Sequence, residues 1–350
     1  MSRKILYTAS TKIHLEHFHL PYIEAFENLA WEVQAEPLPV SKSLFSPQNL
    51  RAIFSTRRMI LQEGFDVISA HTTLASIIVR LAVLLIGRRK RPLIFVTVHG
   101  YLFHDDKSLK KWVYLFPEIL CRRVTDVLMV MNHEDLAIAK KYSLCKENEK
   151  IYYINGMGID LTRFQPVKVT KSQREAFGLS RDDFAFIYAA EFSKRKNHRF
   201  LLDGFANAMR KLEQESEEIV SEVSRIKLVL AGNGTLLEEM KALAKDLGIE
   251  EQVLFPGYLT NIQELYACCQ AAVTTSKIEG LPFHVMEALC CKLPVIASNI
   301  KGHQELISHG VNGLLFESGN EAQLADRLIE LFKNNELRDK CRVRSEEHTS

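Results

Sequence analysis

Short apolar runs rich in β-branched residues alternate with longer helical patterns along almost the whole chain, and this alternation restricts the possible folds more than any single motif. In the first half, strands are predicted at 5–9, 65–70, 93–98, 124–131 and 151–154, and helices at 20–29, 48–62, 74–86, 108–122 and 133–142. Strands and helices that alternate in this way predict a parallel sheet covered by helices on both faces.

The alternation stops after residue 154 and resumes at residue 185, across a polar stretch without clear periodicity. The second half has predicted strands at 185–190, 226–231, 253–255, 271–274, 295–297 and 313–316. We therefore predict an α/β protein with two Rossmann-like, doubly wound domains, residues 1–160 and 161–343. They are expected to face a central cleft at the carboxyl ends of their strands. The acidic segment 213–222 either extends a helix or forms an exposed excursion.

Composition excludes several classes of protein. With 47% hydrophobic and 25% charged residues the chain is globular, and the apolar run 74–86 is too short to span a membrane. The seven cysteines form no Cys-x-x-Cys motif, which favours reduced thiols and a cytoplasmic location. Residues 1–165 hold 22 Lys and Arg against 16 Asp and Glu, so the positive charge lies in the first half.

The last seven residues, 344–350, match the in-frame translation of a widely used sequencing-library adapter. We expect the natural sequence to depart from this one after about Val343, and we exclude the tail from the fold prediction. The alternative is a polar tail that matches by chance.

Two carboxylates stand eight residues apart, Glu279 in a predicted loop and Glu287 about one turn into the next helix. Backbone N–H groups at the start of that helix would form an anion site reinforced by the helix dipole. The residues assigned to this anion site are Gly280, Leu281, Pro282 and Phe283. Neighbouring carboxylates accept hydrogen bonds from sugar hydroxyls, so the pattern predicts a site for a sugar-linked diphosphate. The alternative is an ordinary helix N-terminus with acidic residues.

The same region resembles a known family. Together with 294–298 and 302–306, the paired glutamates are similar to the retaining glycosyltransferases of family 4, which have the GT-B fold. Further segments resemble the family in order and spacing: 18–22, 97–101, 132–135, 155–160, 194–198, 228–234 and 257–262. The upstream segments resemble its capsular and exopolysaccharide branch, and the resemblance covers residues 3–340.

The resemblance implies a role for each matching residue. Glu279 would contact hydroxyls of the transferred sugar and Glu287 the ribose of the nucleotide. Lys196, helped by Arg195, would pair with the diphosphate, whose negative charge grows as the nucleotide leaves. His99 would reach the donor sugar near the reacting carbon; its alternative is a packed or capping histidine.

Four further residues are assigned to the site. Gly232 and Gly234 would let the backbone approach the nucleotide, although a lone Gly-x-Gly is weak evidence. His14 and His19 are candidates for the acceptor side, and each is equally well explained as a hydrogen-bonded loop histidine.

The family chemistry retains the anomeric configuration and needs neither a metal nor a cofactor. In agreement, the sequence has no Asp-x-Asp that could hold a metal-bound diphosphate. Two positions and one loop depart from the family, because residues 11–14 take the place of the Gly-Gly loop that is common after the first strand. Glu191 replaces a frequent arginine, and Lys292 replaces a helix-ending glycine at a position that prefers positive φ, which costs about 1 kcal/mol.

Basic residues and aromatics are interleaved in the first half, which suits an anionic membrane surface. The basic residues are 88–91, Lys107, Lys110, Lys111, Arg122 and Arg123, around the aromatic run 112–116. A solvated basic face is the alternative, and no element for reading nucleic acid is recognisable.

The predicted activity is transfer of a sugar from a nucleotide-sugar, a UDP-sugar, to a lipid-linked precursor in capsule, exopolysaccharide or O-antigen biosynthesis, at the inner face of the cytoplasmic membrane. The alternatives are a non-catalytic sugar-nucleotide-binding subunit and a sugar-nucleotide epimerase.

Overall fold

The computed structural model describes residues 2–41 and 46–344. Contacts divide the chain into two compact units, Met1–Gly158 and Ile159–Ser350. Each unit contains one six-stranded sheet in which every paired strand is parallel. The α/β prediction of two parallel, helix-covered sheets is therefore confirmed.

The first unit has the strand order β2-β1-β3-β4-β5-β6. Its strands are β1 (Lys4–Ala9), β2 (Glu32–Pro37), β3 (Val67–His71), β4 (Leu93–Val98), β5 (Val127–Val130) and β6 (Ile151–Tyr153). Its helices are α1 (Lys12–Phe18), α2 (Leu20–Asn28), α3 (Pro47–Glu63), α4 (Thr73–Leu84), α5 (Leu109–Cys121) and α6 (His133–Lys141). The order reverses between β1 and β3, and such a reversal opens a crevice at the carboxyl ends of the strands.

The second unit has the order β12-β11-β10-β7-β8-β9, the classic Rossmann arrangement. Its strands are β7 (Phe184–Ala189), β8 (Ile226–Ala231), β9 (Val253–Gly257), β10 (Ala271–Thr274), β11 (Val295–Ser298) and β12 (Gly313–Phe316). Its helices are α7 (Lys171–Ala176), α8 (His198–Leu212), α9 (Glu217–Val223), α10 (Leu237–Asp246), α11 (Ile262–Cys268), α12 (Phe283–Cys290), α13 (Lys301–Gln304), α14 (Glu321–Lys333) and α15 (Asn335–Arg344). Here the order reverses between β7 and β10.

Helices cover both faces of each sheet, so the central strands are buried on both sides. Every residue of β3, β10 and β11 is buried. This explains why these strands are mainly apolar and do not show an alternating pattern.

Several elements were missed by the sequence prediction, among them β2, α1 and α7. Strand β2 pairs with β1 at the sheet edge and is mostly exposed, so it lacks an apolar run. Helix α1 had been expected to be a loop. Helix α7 lies in the supposed polar connection, where Thr170 and Gln173 form a capping box, a signal present in the sequence.

The acidic segment does not extend a helix. Helix α8 ends at Leu212 and a separate short helix, α9, begins at Glu217. Lys292 has φ +57°, as expected for a position that glycine would favour. Of the predicted adapter tail, residues 345–350 lie outside the described residues.

An ion pair between Arg80 and Glu118 is completely buried and joins α4 to α5. Two guanidinium nitrogens donate to the carboxylate at 2.7 and 2.9 Å, and Arg80 also donates to the backbone and hydroxyl oxygens of Ser76. This pairing explains the arginine inside the apolar run 74–86. In the described part of the chain, no helix is long and apolar enough to cross a bilayer.

Candidate functional site

The loops that follow β7 and β10 lie side by side at the switch point of the second unit. The N–H of Lys277 donates to the carbonyl of Arg195 at 2.9 Å. The hydroxyls of Tyr188 and Thr275 donate to the carbonyl of Lys196 at 3.0 and 3.2 Å. These bonds fix the backbone from which Arg195 and Lys196 extend.

The side chains of Arg195, Lys196 and Glu279 meet above these loops. Lys196 Nζ lies 2.5 Å from Glu279 Oε1, and Arg195 Nη1 lies 2.8 Å from Oε2. Glu279 and Lys196 are buried, whereas 46% of the Arg195 side chain is exposed. The sequence prediction assigned all three residues to one site, and Glu279 is 84 positions from Arg195 and 83 from Lys196 in the chain.

Burial and charge act in opposite directions on this cluster. Burial raises the pKa of the Glu279 carboxyl, but Lys196 and Arg195 outweigh it and hold the pKa well below its usual range. Burial lowers the pKa of Lys196, and attraction to Glu279 opposes that shift. One carboxylate between two cations leaves a net positive charge, which suits an anionic ligand.

Helix α12 begins beside this cluster. Its N-cap is Pro282, which has no polar side chain that could cap the first backbone N–H groups of the helix. Leu281 and Phe283 are half-buried, and Gly280 is buried. Glu287, on the same helix, accepts a hydrogen bond of 3.0 Å from the hydroxyl of Tyr266, and burial raises its pKa.

Gly232 and Gly234 support the site through packing. A Cβ on Gly232 would lie 2.2 Å from the carbonyl oxygen of Ala190, and one on Gly234 would lie 2.5 Å from that of Phe192. Both glycines have positive φ, so a side chain would strain the backbone as well. The two glycines allow the loops after β7 and β8 to pack together, a role that the sequence prediction did not include.

Four histidines meet at the switch point of the first unit. His14 lies in α1 and His19 between α1 and α2, while His71 ends β3 and His99 follows β4. The ring centroids of His19 and His71 are 3.8 Å apart, and those of His14 and His99 are 4.6 Å apart. The three histidines predicted from sequence are therefore brought together, and a fourth joins them.

Burial keeps these imidazoles uncharged at neutral pH. It lowers the pKa of His14 to about 4 and that of His19 to about 3, and it holds the pKa values of His71 and His99 well below the usual range. The backbone beside them is strained, because Thr72 has φ +63°, a conformation rare for a β-branched residue. Such strain concentrates at functional sites.

His71 was missed by the sequence prediction, although it carried a signal. It is the polar last residue of a fully buried strand next to the reversal of strand order. Its Nε2 lies 2.9 Å from the hydroxyl of Ser69, and its Nδ1 lies 3.5 Å from Nε2 of His99. His71 therefore lies in contact with the ring of His99.

A basic cavity of about 950 Å³ lies at the opposite, amino-terminal edge of the same sheet. Its lining includes Arg88, Arg91, Arg122, Arg123 and Lys146. The fold thus brings together the two basic segments noted in the sequence, away from the histidines.

Two family models match the chain. The model described as "Glycosyl transferases group 1" matches residues 169–348, and the "Glycosyl transferase 4-like domain" matches residues 23–140. The putative glycosyltransferase EpsD of Bacillus subtilis is 31% identical over an alignment of 364 positions, gaps included. The alignment covers 99% of this chain and 91% of that protein.

Two further proteins extend the comparison. An Escherichia coli protein named UDP-Gal:alpha-D-GlcNAc-diphosphoundecaprenol alpha-1,3-galactosyltransferase is 27% identical over 83% of this chain and 72% of its own length. The crystal structure of Anabaena Alr3699/HepE with UDP and glucose superposes with a TM-score of 0.72 at 19% identity, covering 99% of this chain and 95% of that one. The two parallel sheets and these matches show that the chain has the GT-B fold and belongs to the group 1 glycosyltransferase family.

Proposed function

We propose that this glycosyltransferase moves a sugar from a UDP-sugar to a lipid-linked polysaccharide precursor, with retention at the anomeric carbon. The observation that carries the donor site is the cluster of Arg195, Lys196 and Glu279 beside the start of α12. The cluster combines two cations, which can bind a diphosphate, with a carboxylate, which can accept hydrogen bonds from sugar hydroxyls.

Each group in the cluster has a distinct task in this proposal. Lys196 and Arg195 bind the diphosphate and stabilise the charge that develops on it when the glycosidic bond breaks. Glu279, released from its cations as the phosphates bind, accepts hydrogen bonds from hydroxyls of the sugar. Glu287, which Tyr266 already contacts, accepts hydrogen bonds from the ribose. Side chains of the second unit thus stabilise the negative charge on the leaving nucleotide diphosphate.

The choice of donor and acceptor rests on the relatives. The E. coli relative is named for UDP-Gal and for a diphosphoundecaprenol-linked acceptor, and the Anabaena structure holds UDP and glucose. A role in capsule, exopolysaccharide or O-antigen synthesis follows from such an acceptor. For His14, His19 and His99, acceptor binding and contact with the transferred sugar remain predictions.

Calorimetric titration with UDP, GDP and ADP tests the donor site. We expect UDP to bind most tightly and Lys196→Ala to weaken UDP binding at least about tenfold, as loss of a charge-assisted bond implies. Lys194→Ala is the matched control, because Lys194 is exposed in the same loop. Equal UDP affinity in both variants would refute the assignment of Lys196.

A transfer assay separates the proposal from its alternatives. Glu279→Gln should lower turnover of a UDP-sugar far more than it lowers UDP affinity, and the anomeric configuration of the product, read by NMR, should match that of the donor. A protein that binds UDP without turnover would be a non-catalytic subunit. Conversion of the donor sugar without any acceptor would indicate an epimerase. An inverted product would contradict retention.

A membrane-facing surface on α5 is the second part of the proposal. Five exposed apolar side chains, Leu109, Trp112, Val113, Phe116 and Leu120, recur at spacings of three and four residues. They therefore form one stripe along the helix. Exposed cations lie at both ends, because Lys107 precedes the helix and Arg123 follows it. An apolar stripe flanked by cations suits an anionic bilayer surface.

Co-sedimentation with vesicles tests this surface. The protein should sediment with phosphatidylglycerol–phosphatidylcholine vesicles and not with pure phosphatidylcholine. Phe116→Ser should weaken vesicle binding at least about tenfold, since burial of a phenylalanine contributes roughly 1.5–3 kcal/mol. Phe54→Ser is the matched control, because Phe54 is 57% exposed on α3 and Phe116 is 65% exposed. Equal losses in the two variants, or equal binding to both vesicles, would refute the docking surface.

A further inference from the structure

The basic cavity of the first unit is built from three turns that lead into neighbouring strands. Residues 84–93 lead into β4, residues 122–126 into β5 and residues 143–146 towards β6. Since β4, β5 and β6 are adjacent and parallel, the three turns lie side by side. A volume of about 950 Å³ is at the upper end of the range for small-molecule pockets, roughly 300–1,000 Å³. The cavity therefore has room for a ligand larger than a single ion.

Cations outnumber carboxylates in the lining of this cavity. Asp126 is the acidic residue of the lining, and both of its carboxylate oxygens already have partners. Its Oδ1 lies 2.5 Å from Nζ of Lys146, and its Oδ2 accepts a hydrogen bond of 2.8 Å from the N–H of Ile94. The other cations of the lining form no ion pair with any described residue: Arg88, Arg91, Arg122 and Arg123. Four guanidinium groups thus line one cavity without a carboxylate of their own.

One of these four guanidinium groups is already held in place. The Nε of Arg91 donates to the carbonyl of Ile86 at 2.8 Å, and its Nη2 donates to the carbonyl of Leu84 at 3.1 Å. Both carbonyls lie at the end of α4, where unpaired carbonyl oxygens attract a cation. The Nη1 of Arg91 donates to none of the described residues. A ligand that binds there costs little further side-chain freedom.

Four unpaired arginines favour phosphate over other anions. A guanidinium group presents a planar fork of N–H donors that matches the oxygens of a phosphate in pairs. A phosphate monoester carries about 1.5–2 negative charges at neutral pH and has three acceptor oxygens. One phosphate can therefore bind several guanidinium groups and reduce the repulsion among them, whereas a carboxylate brings a single charge.

We propose that this cavity is a second phosphate site of the enzyme and that Arg88, Arg91 and Arg122 bind the phosphate. The cavity lies at the amino-terminal edge of the first sheet, opposite the histidines, and its lining contains no residue of the donor cluster. Its ligand is therefore a molecule other than the sugar donor. The site goes beyond the proposed transferase function and can fail independently of it.

The phosphate can belong to a soluble molecule or to a lipid headgroup. The side chain of Leu93, which is 52% exposed, lines the same cavity. Leu120, the last member of the apolar stripe on α5, is 46% exposed and lies close to Arg122 in the chain. Apolar neighbours suit a phospholipid, whereas a soluble phosphate needs only the cations. The two sources are therefore separated by experiment.

Calorimetric titration with inorganic pyrophosphate tests the site. Saturating UDP is present, so that the donor cluster is occupied, and we expect one equivalent of pyrophosphate to bind to the wild-type chain. Arg88→Gln and Arg122→Gln should each weaken pyrophosphate affinity at least about tenfold, because each removes charge-assisted hydrogen bonds. Arg89→Gln is the matched control, because Arg89 is exposed in the same turn as Arg88 and does not line the cavity. The pyrophosphate affinity of this control should equal that of wild type.

Co-sedimentation with vesicles of phosphatidic acid and phosphatidylcholine identifies the source of the phosphate. The same three variants are compared with wild type. A loss of vesicle binding in Arg88→Gln and Arg122→Gln that is absent in Arg89→Gln assigns the phosphate to a lipid headgroup. A loss that is confined to pyrophosphate binding assigns it to a soluble molecule.

Two results would overturn the proposal. One is a wild-type chain that binds neither pyrophosphate nor the vesicles, a result that does not depend on the folding of any variant. The other is equal affinity of the three variants for both probes. UDP binding, measured first in the same sample, shows separately whether the donor-site proposal survives. If UDP does not bind, the difference between Arg88→Gln and Arg89→Gln still decides whether pyrophosphate occupies the cavity.

Discussion

Replacement of Gly302 by alanine would test how tightly the loop that carries Glu279 is held. Gly302 lies in α13, where alanine would ordinarily improve helix stability by roughly 0.5–1 kcal/mol. A Cβ at this position would lie 2.6 Å from the carbonyl oxygen of Gly280 and 2.7 Å from that of Glu279. The atoms that must move are backbone atoms of the loop, and they have no rotamer with which to avoid the clash.

The size of the effect follows from this distance. Ordinary contact begins at about 3.4 Å, so the loop and α13 must separate by about 0.8 Å at Gly280. Overpacking of this kind costs roughly 1–3 kcal/mol, which outweighs the gain in helix propensity. A displacement of this order at a reacting group can lower the rate about a hundredfold. Gly302→Ala should therefore reduce both the free energy of unfolding and turnover.

Urea unfolding and the transfer assay measure the two effects separately. Gly87→Ala is the neutral control, since a Cβ there has nothing within 4 Å and φ is −62°. Gly313→Ala is the control for stability, because its Cβ would lie 2.3 Å from the carbonyl oxygen of Val295 in the neighbouring strand. It should destabilise the fold and leave the turnover of folded protein intact. If Gly302→Ala is as stable and active as wild type, α13 does not position the Glu279 loop.

Three further substitutions have defined outcomes. Arg80→Met should lower the free energy of unfolding by roughly 3–5 kcal/mol in urea, because Glu118 is left buried and unpaired. Replacing Glu118 by leucine as well should restore most of the loss, and a double variant as unstable as the single one would contradict this. Lys292→Gly should raise the melting temperature through a gain of about 1 kcal/mol, because φ is +57°; no gain would show that the strain is relieved elsewhere. Burial lowers the pKa of His198 to about 3, below an unfolded value near 6.5. Its contribution to stability is therefore present at pH 7 and is lost as the pH falls from about 6.5 towards 3. Wild type should lose about 2 kcal/mol more than His198→Phe between pH 7 and pH 5; equal losses would refute the assignment.

Local patterns were enough to predict most of the fold. The buried strands could be recognised because a strand covered on both faces is mainly apolar, as β3 and β11 are. The edge strand β2 could not, because it is exposed and its pairing with β1 depends on hydrogen bonds between distant segments. Helix α7 was missed despite its capping box, because six residues give too little periodicity to recognise.

The candidate sites were predicted unevenly for a similar reason. Glu279 and Glu287 share a short motif, and the resemblance added Lys196, so the residues of the proposed donor cluster could be named from the sequence. The contact between Glu279 and Lys196 spans 83 positions and needs both strands beside the switch point. His71 was missed because one polar residue at the end of a strand is significant only when His19 and His99 are known to lie beside it.

The sequence by itself determined the type of most main elements, the plan of two parallel, helix-covered sheets and the residues that we propose for donor binding, because these depend on local periodicity and short spacings. Only the tertiary structure decided which distant side chains meet: Arg195 with Glu279, His14 with His99, and Arg80 with Glu118. The order of the strands in each sheet determines these contacts. That order depends in turn on how the helices pack against both faces of the sheet. Burial then determines the charge of each group, which a linear sequence does not specify.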